Sequence, residues 1–430
     1  MQRISIKNFG PIDSMTIDIE PINVFVGPQA SGKSTVSKLI FFFRSIPEAL
    51  YEFLLEESVK EDEVLYKFNK VLIQKFIGYF GTTKHMRPFE ITYIYNEKKY
   101  VKLYPKDGFL QITFSQRLKK PIYKAAEQME EIKEYTEKES NVWDTTLSNV
   151  HAKKKYTLLR NQIYDSFEET LTPIFIPAGR SLVSTLTDQL QLMQPGDVDD
   201  IMKQFIERIL SLRKTFSRSL EDVIEDKKNL TNQEIDMPNV MLAAEIIEKI
   251  IKGKYIYQTD GERIYFNEHE FIKLNFSSSG QQEVVWIALL IFSIILEKRN
   301  VFMVIEEPEA HLFPSAQHHI VALIVLLVNT SDSEVIITSH SPYILSSLNT
   351  YIYAGQLSDK LDKVDENLIS KPLRIRKKVG AYYVERGEKK FLSRDIIDAE
   401  LQLIQAEVID NISNEINELF DKLTDIEVSL

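Results

Sequence analysis

Residues 27–35 read GPQASGKST: a glycine, four free positions and then Gly-Lys-Ser. A loop of this spacing can turn successive backbone N–H groups around a phosphate chain while the positive end of the following helix points at it. Gly27, Pro28, Gln29, Ala30, Ser31, Gly32 and Thr35 would shape that wrap, Lys33 would reach the terminal phosphates, and the hydroxyl of Ser34 would ligate magnesium. The plainer alternative is a glycine-bearing turn with an accidental Lys-Ser. Against it, INVFV before the loop reads as a strand and TVSKLIFFF after it as a helix, the context this chemistry needs.

Such a loop does not by itself say which reaction follows, since many unrelated activities share it. The next signal is VFMVIEEPEAHLFP, where five apolar residues, Val301 to Ile305, suit a buried parallel strand that delivers two carboxylates at its end. Glu306 would hold the magnesium shell, and Glu307 is placed to polarise an attacking water. A glutamate pair at a strand end can also be merely solvated. Two further stretches weigh against that. In NFSSSGQQEVVWIALLIF, Ser278, Ser279, Gly280 and Gln281 precede a long apolar helix, where small residues let backbone and hydroxyls approach an anion, or simply cap the helix. In EVIITSHSPYIL, an apolar strand delivers His340 at its end, where ligands gather in open α/β sheets.

The elements that must position these residues follow from pattern. Alternation in ISIKNF and MTIDIE marks two strands before the loop. FEITYIYNEKKYVKLYPKDGFLQITF reads as a small antiparallel meander with turns at NEKK and PKDG. Residues 121–250 are charged and helix-periodic, interrupted by TPIFIPAGRS and MQPGD; YIYQTDGERIYF is a hairpin turning at Asp260-Gly261, and strands and helices then alternate again. The fold expected is α/β, divided into residues 1–120, 121–250 (an inserted helical arm), 251–350 and 351–430. From Asp398 to Leu430, apolar positions recur at helical spacing among acids, which predicts an amphipathic helix.

Composition sets bounds. The chain has 430 residues, 44% of them hydrophobic, enough for a large core. Without cysteine it has no disulfides or thiolate metal sites, which with the absence of a signal-like start makes the cytoplasm the expected compartment. The stretches VVWIALLIFSIIL and HIVALIVLLV are short of a bilayer's thickness and read as buried helices, so no membrane partner is expected. A net charge of −11 argues against a general nucleic-acid coat, though HAKKKY (151–156) and LRIRKK (373–378) are basic enough for a local face if they are not simply solvated.

Taken in order, GPQASGKST, SSSGQQE, VFMVIEEPEAHL and ITSHSP resemble the ABC-type ATPases of the SMC, RecF and OLD group. The wording of IKNFGPI and EEPEAHL…SHSP is most similar to the OLD-like ATPases of bacterial antiphage systems, such as the ATPase subunits of PARIS and Septu. The resemblance implies an ABC-type P-loop core that binds ATP and Mg2+ and hydrolyses ATP. It makes residues 27–35 the Walker A loop and Ser278, Ser279, Gly280 and Gln281 the signature. Glu306 becomes the Walker B magnesium ligand, Glu307 the catalytic glutamate and His340 the switch histidine. Three departures stand out. The Walker B acid is Glu rather than the usual Asp, Ser279 occupies a position usually glycine, and no glutamine follows IFIP as a Q-loop, so Arg180 or Gln189 would have to serve.

In that group the signature of one protomer completes the ATP site of another, which implies a homodimer or larger homo-oligomer. Between His340 and Leu430 there is no Asp-x-Asp pair of the kind a Toprim nuclease uses to hold metals. A separate effector protein, a nuclease by preference, is therefore expected, with a phage-encoded trigger and DNA as further partners that the resemblance allows. The competing expectation is a DNA-engaging repair or recombination ATPase of the SMC or RecF kind.

Overall fold

The computed structural model describes residues 2–139, 145–186, 199–230, 235–386, 391–408 and 421. The chain opens with the hairpin β1 (Gln2–Phe9) and β2 (Ile12–Ile19), then β3 (Ile22–Val26), followed by helices α1 (Lys33–Arg44), α2 (Ile46–Glu56) and α3 (Val64–Phe80). Strands β4 (Glu90–Asn96), β5 (Lys99–Lys106) and β6 (Phe109–Phe114) form the expected meander. It does not stand alone: Lys7 pairs with Glu90, so β1 and β2 extend it to a five-stranded antiparallel sheet, β2-β1-β4-β5-β6.

Helices α4 (Gln116–Glu139) and α5 (Thr145–Ser166) are inserted next and pack on each other and back onto α2 and α3. The same expected arm region then supplies β7 (Thr172–Ile176), which pairs in parallel with the Glu306 strand, so residues 121–250 also contribute to the central sheet. Further on come α6 (Ser181–Leu186), α7 (Asp200–Leu212), α8 (Leu220–Leu230) and α9 (Met237–Ile251), then a small sheet of β8 (Lys254–Gln258), β9 (Gly261–Tyr265) and β10 (Phe271–Lys273). The β8–β9 turn falls at Asp260-Gly261 as expected. The last third contains α10 (Ser279–Leu296), β11 (Val301–Glu306), α11 (Pro314–Thr330), β12 (Glu334–Ser339), α12 (Pro342–Gln356), α13 (Ser358–Val364), β13 (Val379–Arg386) and β14 (Phe391–Asp395).

The central sheet runs β14-β13-β3-β12-β11-β7, parallel except for β14 at one edge. Its inner strands are apolar without a break because both faces are covered. Alternate side chains sort to two cores: Val24, Met303 and Ile337 join α9, α10, α11 and α12 on one face, while Phe25, Val304 and Ile336 join α1 to α5 and the antiparallel sheet on the other. Helix α10 is the one described helix long and apolar enough to cross a membrane, and 83% of it is buried here. The fold is thus α/β, with a parallel core sheet, an antiparallel meander and inserted helices.

Over residues 398–408 the expected tail helix does not form, while Asp421 further on is helical. The Asp398 carboxylate accepts the backbone N–H groups of Glu400 and Leu401, Ile397 bridges to Ile404, and Ala406–Val408 forms a 3-10 turn. A side chain that satisfies its own backbone in this way competes with helix formation. Residues 409–420 and 422–430 lie outside the described residues.

Candidate functional site

Parallel pairing in register brings the sequence motifs to one edge of the central sheet. Val26 is opposite Ser339, Glu306 opposite Thr338, and Ile305 opposite Ile176. The loops leaving β3, β12, β11 and β7 therefore emerge side by side at the strands' C-terminal ends, where open α/β sheets place ligands.

The loop after β3 is shaped by backbone conformations few side chains accept. Gly27 has φ 142, and a Cβ there would lie 2.0 Å from the Val384 carbonyl oxygen of neighbouring β13. Gly32 caps α1 at φ 101, and Ala30 also has a positive φ of 58. Pro28, Gln29 and Ala30 are exposed, as is Ser34, while Ser31 and Lys33 are buried. The Lys33 ammonium donates to the carbonyls of Gly27 and Pro28, each at 2.8 Å. Burial pushes it down to about 8, with Glu307 and Glu309 pulling the other way.

Glu306 is buried at the end of β11. Burial raises its carboxyl above the usual range, and Lys38 and the Ser34 hydroxyl stand near enough to counter part of this. One carboxylate oxygen accepts from the Ala178 N–H at 3.3 Å; the other, like the Ser31 hydroxyl, is buried with no hydrogen-bond partner. Such orphaned oxygens, one of them on a carboxylate near Ser34 of the phosphate loop, are what a bound magnesium nucleotide would satisfy. No described cluster of three or more His, Asp or Glu could hold a metal unaided. Ser34, Glu306 and Lys33 thus fit the group the loop implies.

Glu307 leaves the strand at φ 44, a conformation costing about 1–3 kcal/mol in a non-glycine residue and typical of functional sites. Its N–H is held by the Thr338 carbonyl at 2.9 Å. Its Oε1 stands 3.3 Å from His340 Nε2, and the hydrogen bond from that histidine holds the Glu307 carboxyl below its ordinary range.

A residue the sequence reading did not single out, Glu309, fixes the histidine. Its Oε1 accepts from the Ser339 hydroxyl and the His340 N–H, both at 2.7 Å, and burial raises its carboxyl. Glu309 was visible in EEPEAH, but its partners lie on the next strand, beyond the reach of local spacing.

The serine-lined helix tip serves first as a cap. Ser278 and Gln281 form a capping box at the start of α10, and Gln281 also donates to the Ile251 carbonyl at 2.8 Å. Ser278 and Ser279 are exposed. Gly280 is buried against the segment after Glu307, where a Cβ would meet the His311 carbonyl oxygen at 2.7 Å. Among the described residues no hydrogen bond joins 278–281 to the loop 27–35. The structure therefore brings Lys33, Ser34, Glu306, Glu307 and His340 together within one chain, with the helix tip presented outward.

Arg180 is fully buried and its guanidinium donates to backbone carbonyls, so it is not free to reach a ligand as a Q-loop side chain would. Gln189 lies outside the described residues. Of the basic stretches, Lys153, Lys154 and Lys155 are exposed on α5, whereas in 373–378 Arg374 is buried on Asp362 and three carbonyls, and Lys377 donates to the Ser331 carbonyl.

Comparison with solved structures finds an SMC head bound to the C-winged helix domain of ScpA, with TM-score 0.42 and 12% identity, covering 92% of this chain and 97% of that one. It also finds the SMC head domain from Thermotoga maritima, with TM-score 0.38, 10% identity and coverage of 92% and 98%. A third is an Smc head domain with an extended coiled coil bound to the C-terminal domain of ScpA, from Pyrococcus furiosus, with TM-score 0.38, 12% identity and coverage of 97% and 100%. No curated protein matches. The sequence profile of the AAA ATPase domain matches residues 1–345, so the chain belongs to the AAA ATPase domain family.

Proposed function

We propose that this protein binds ATP with magnesium and hydrolyses it at an interface between protomers, and that this cycle controls a separate effector in antiphage defence. The observation that carries the nucleotide reading is the grouping of Lys33 with Glu307 and of Ser34 with Glu306, one of whose carboxylate oxygens is buried without a hydrogen-bond partner. Lys33 and the loop N–H groups hold the phosphates, while Ser34 and Glu306 hold magnesium, which when bound neutralises charge on the phosphates. Glu307 accepts a proton from the attacking water. His340, oriented by Glu309, faces the same point from the adjacent strand. The exposed Ser278 and Ser279 tip, with Gly280 buried behind it, is offered to the nucleotide of a second copy.

The defence role rests on the OLD-like wording of EEPEAHL and SHSP. Its test is purification of the chain alone and together with the product of the neighbouring gene, with MgATP hydrolysis measured in both. A nuclease or toxin-like neighbour that co-purifies and is released or activated on turnover supports the reading. Hydrolysis that is strongly stimulated by duplex DNA, with steep loss of binding in salt, and no bound neighbour, rejects it in favour of a DNA-engaging ATPase.

A further inference from the structure

We propose that Arg180 is a positioning residue that ties the backbone of Glu307 to helix α10, so that movement of the signature tip and placement of the catalytic carboxylate are one event. This rests on the proposed ATP hydrolysis. The guanidinium is 0% exposed and donates to four carbonyl oxygens: Glu306 at 2.6 Å, Glu307 at 2.9 Å, Pro177 at 2.7 Å and Glu283 at 3.1 Å. Glu283, in the second turn of α10, closes the bridge by accepting the N–H groups of Arg180 at 3.0 Å and Ser181 at 3.1 Å.

Three features separate this from a simple structural pin. First, a buried charge costs several kcal/mol to desolvate, and apolar side chains of similar volume would hold two elements together as well. Second, the two oxygens on the Glu306 and Glu307 carbonyls flank a residue held at φ 44. With its N–H fixed by Thr338 and its carbonyl fixed by Arg180, the Glu307 peptide has little freedom, and the direction of its side chain is set by those two bonds. Third, α10 is joined to the same segment a second time, through Gly280 against His311. A shift of the tip when it meets a nucleotide would therefore be transmitted to Glu307 through a planar, rigid fork. Lysine, a point donor on a flexible stem, cannot bridge four carbonyls.

The chain carries its own reporter. It has two tryptophans, Trp143 and Trp286. Trp286 is buried on α10 one turn beyond Glu283, its indole N–H donating to Ser184 at 3.1 Å. In the full chain carrying Trp143→Phe, MgATP should change Trp286 emission, and this background should turn over as the parent does. Arg180→Lys and Glu283→Gln, each checked for folding by circular dichroism, are then compared with it. The expected result is binding of a fluorescent ATP analogue within about threefold of the background, kcat down by about tenfold or more with KM little changed, and loss of the nucleotide-dependent emission change. Glu283→Gln keeps the side chain's size and one acceptor oxygen, and carries the same readings should Arg180→Lys fail to fold. Folded variants with kcat within about twofold of the background, or with an intact Trp286 response, overturn the proposal. If the background itself neither binds nor hydrolyses ATP, the proposed function fails first and the coupling with it.

Discussion

Nε2 of His340 lies 3.3 Å from Oε1 of Glu307, although the two residues are contributed by different strands. Register accounts for the meeting: Glu306 is paired with Thr338, so the residues immediately after each strand's end leave the sheet together. The histidine's hydrogen bond holds the Glu307 carboxyl below its ordinary range.

The base assignment has a direct consequence. Glu307→Gln keeps the side chain's shape and its contact with His340 but cannot take a proton. Turnover should fall by about 10²–10⁴-fold, the usual range for a general base, while affinity for ATP stays near that of the parent. Phosphate release under single-turnover conditions measures the first and equilibrium binding the second; turnover within a few-fold of the parent rejects the assignment.

Lys33 predicts how nucleotide affinity depends on pH. Its ammonium is held down to about 8 by burial, and a phosphate within reach favours the charged form, so its value rises in the complex. Below about 8 the lysine is protonated before and after binding, and affinity is flat. Above it, binding must take up a proton, and affinity should fall by up to about tenfold per pH unit. Titration calorimetry at pH 7 and pH 9, in two buffers of different ionisation enthalpy, reads the proton directly. Equal uptake at both pH values would contradict the assignment.

At the far end of α1, Arg44 is buried between Glu169, which it meets at 2.6 and 2.8 Å, and Glu334 at the start of β12, with its guanidinium 3.9 Å above the Phe302 ring. The phosphate-loop helix is thereby joined to the chain entering β7. Arg44→Met strands the Glu169 carboxylate, which is 1% exposed, and should cost about 3–5 kcal/mol in urea unfolding. Adding Glu169→Gln removes the uncompensated charge and should recover part of the loss. A purely additive double variant would show that the pair does not act as a unit.

The sequence made the site's skeleton legible because each chemical group there follows an apolar run of strand length. Val301–Ile305 announces Glu306 and Glu307, and VIIT announces His340. What it could not show depends on contacts far apart in the chain. Arg180 looked like a stand-in for a ligand-sensing side chain, but its donors go to carbonyls of residues 283, 306 and 307, a pairing no local pattern encodes. The apolar spacing after Asp398 suggested a helix, and over residues 398–408 the chain departs from it: Asp398 folds its carboxylate onto its own backbone, and Ile404 is buried with a bridge to Ile397. Of the two readings given to Ser278 and Gln281, the structure shows the helix cap.

Whether that tip serves another copy can be decided by mixing two defective proteins. Lys33→Ala removes the lysine from the phosphate loop, and Ser279→Arg places a bulky charge on the exposed first turn of α10 without touching the capping box. Each variant alone should be inactive, since every site in its assembly lacks one half. In a mixed dimer one of the two composite sites regains an intact loop and an intact tip. Random exchange makes half of all dimers mixed, so an equimolar mixture should recover about a quarter of the parent's turnover under two-fold symmetry. Recovery that grows with time after mixing, at the rate at which protomers exchange, ties the activity to the shared interface. A mixture that stays at the level of its inactive components, while protomer exchange is shown by a tagged pull-down, means that the loop and the tip do not act on one nucleotide.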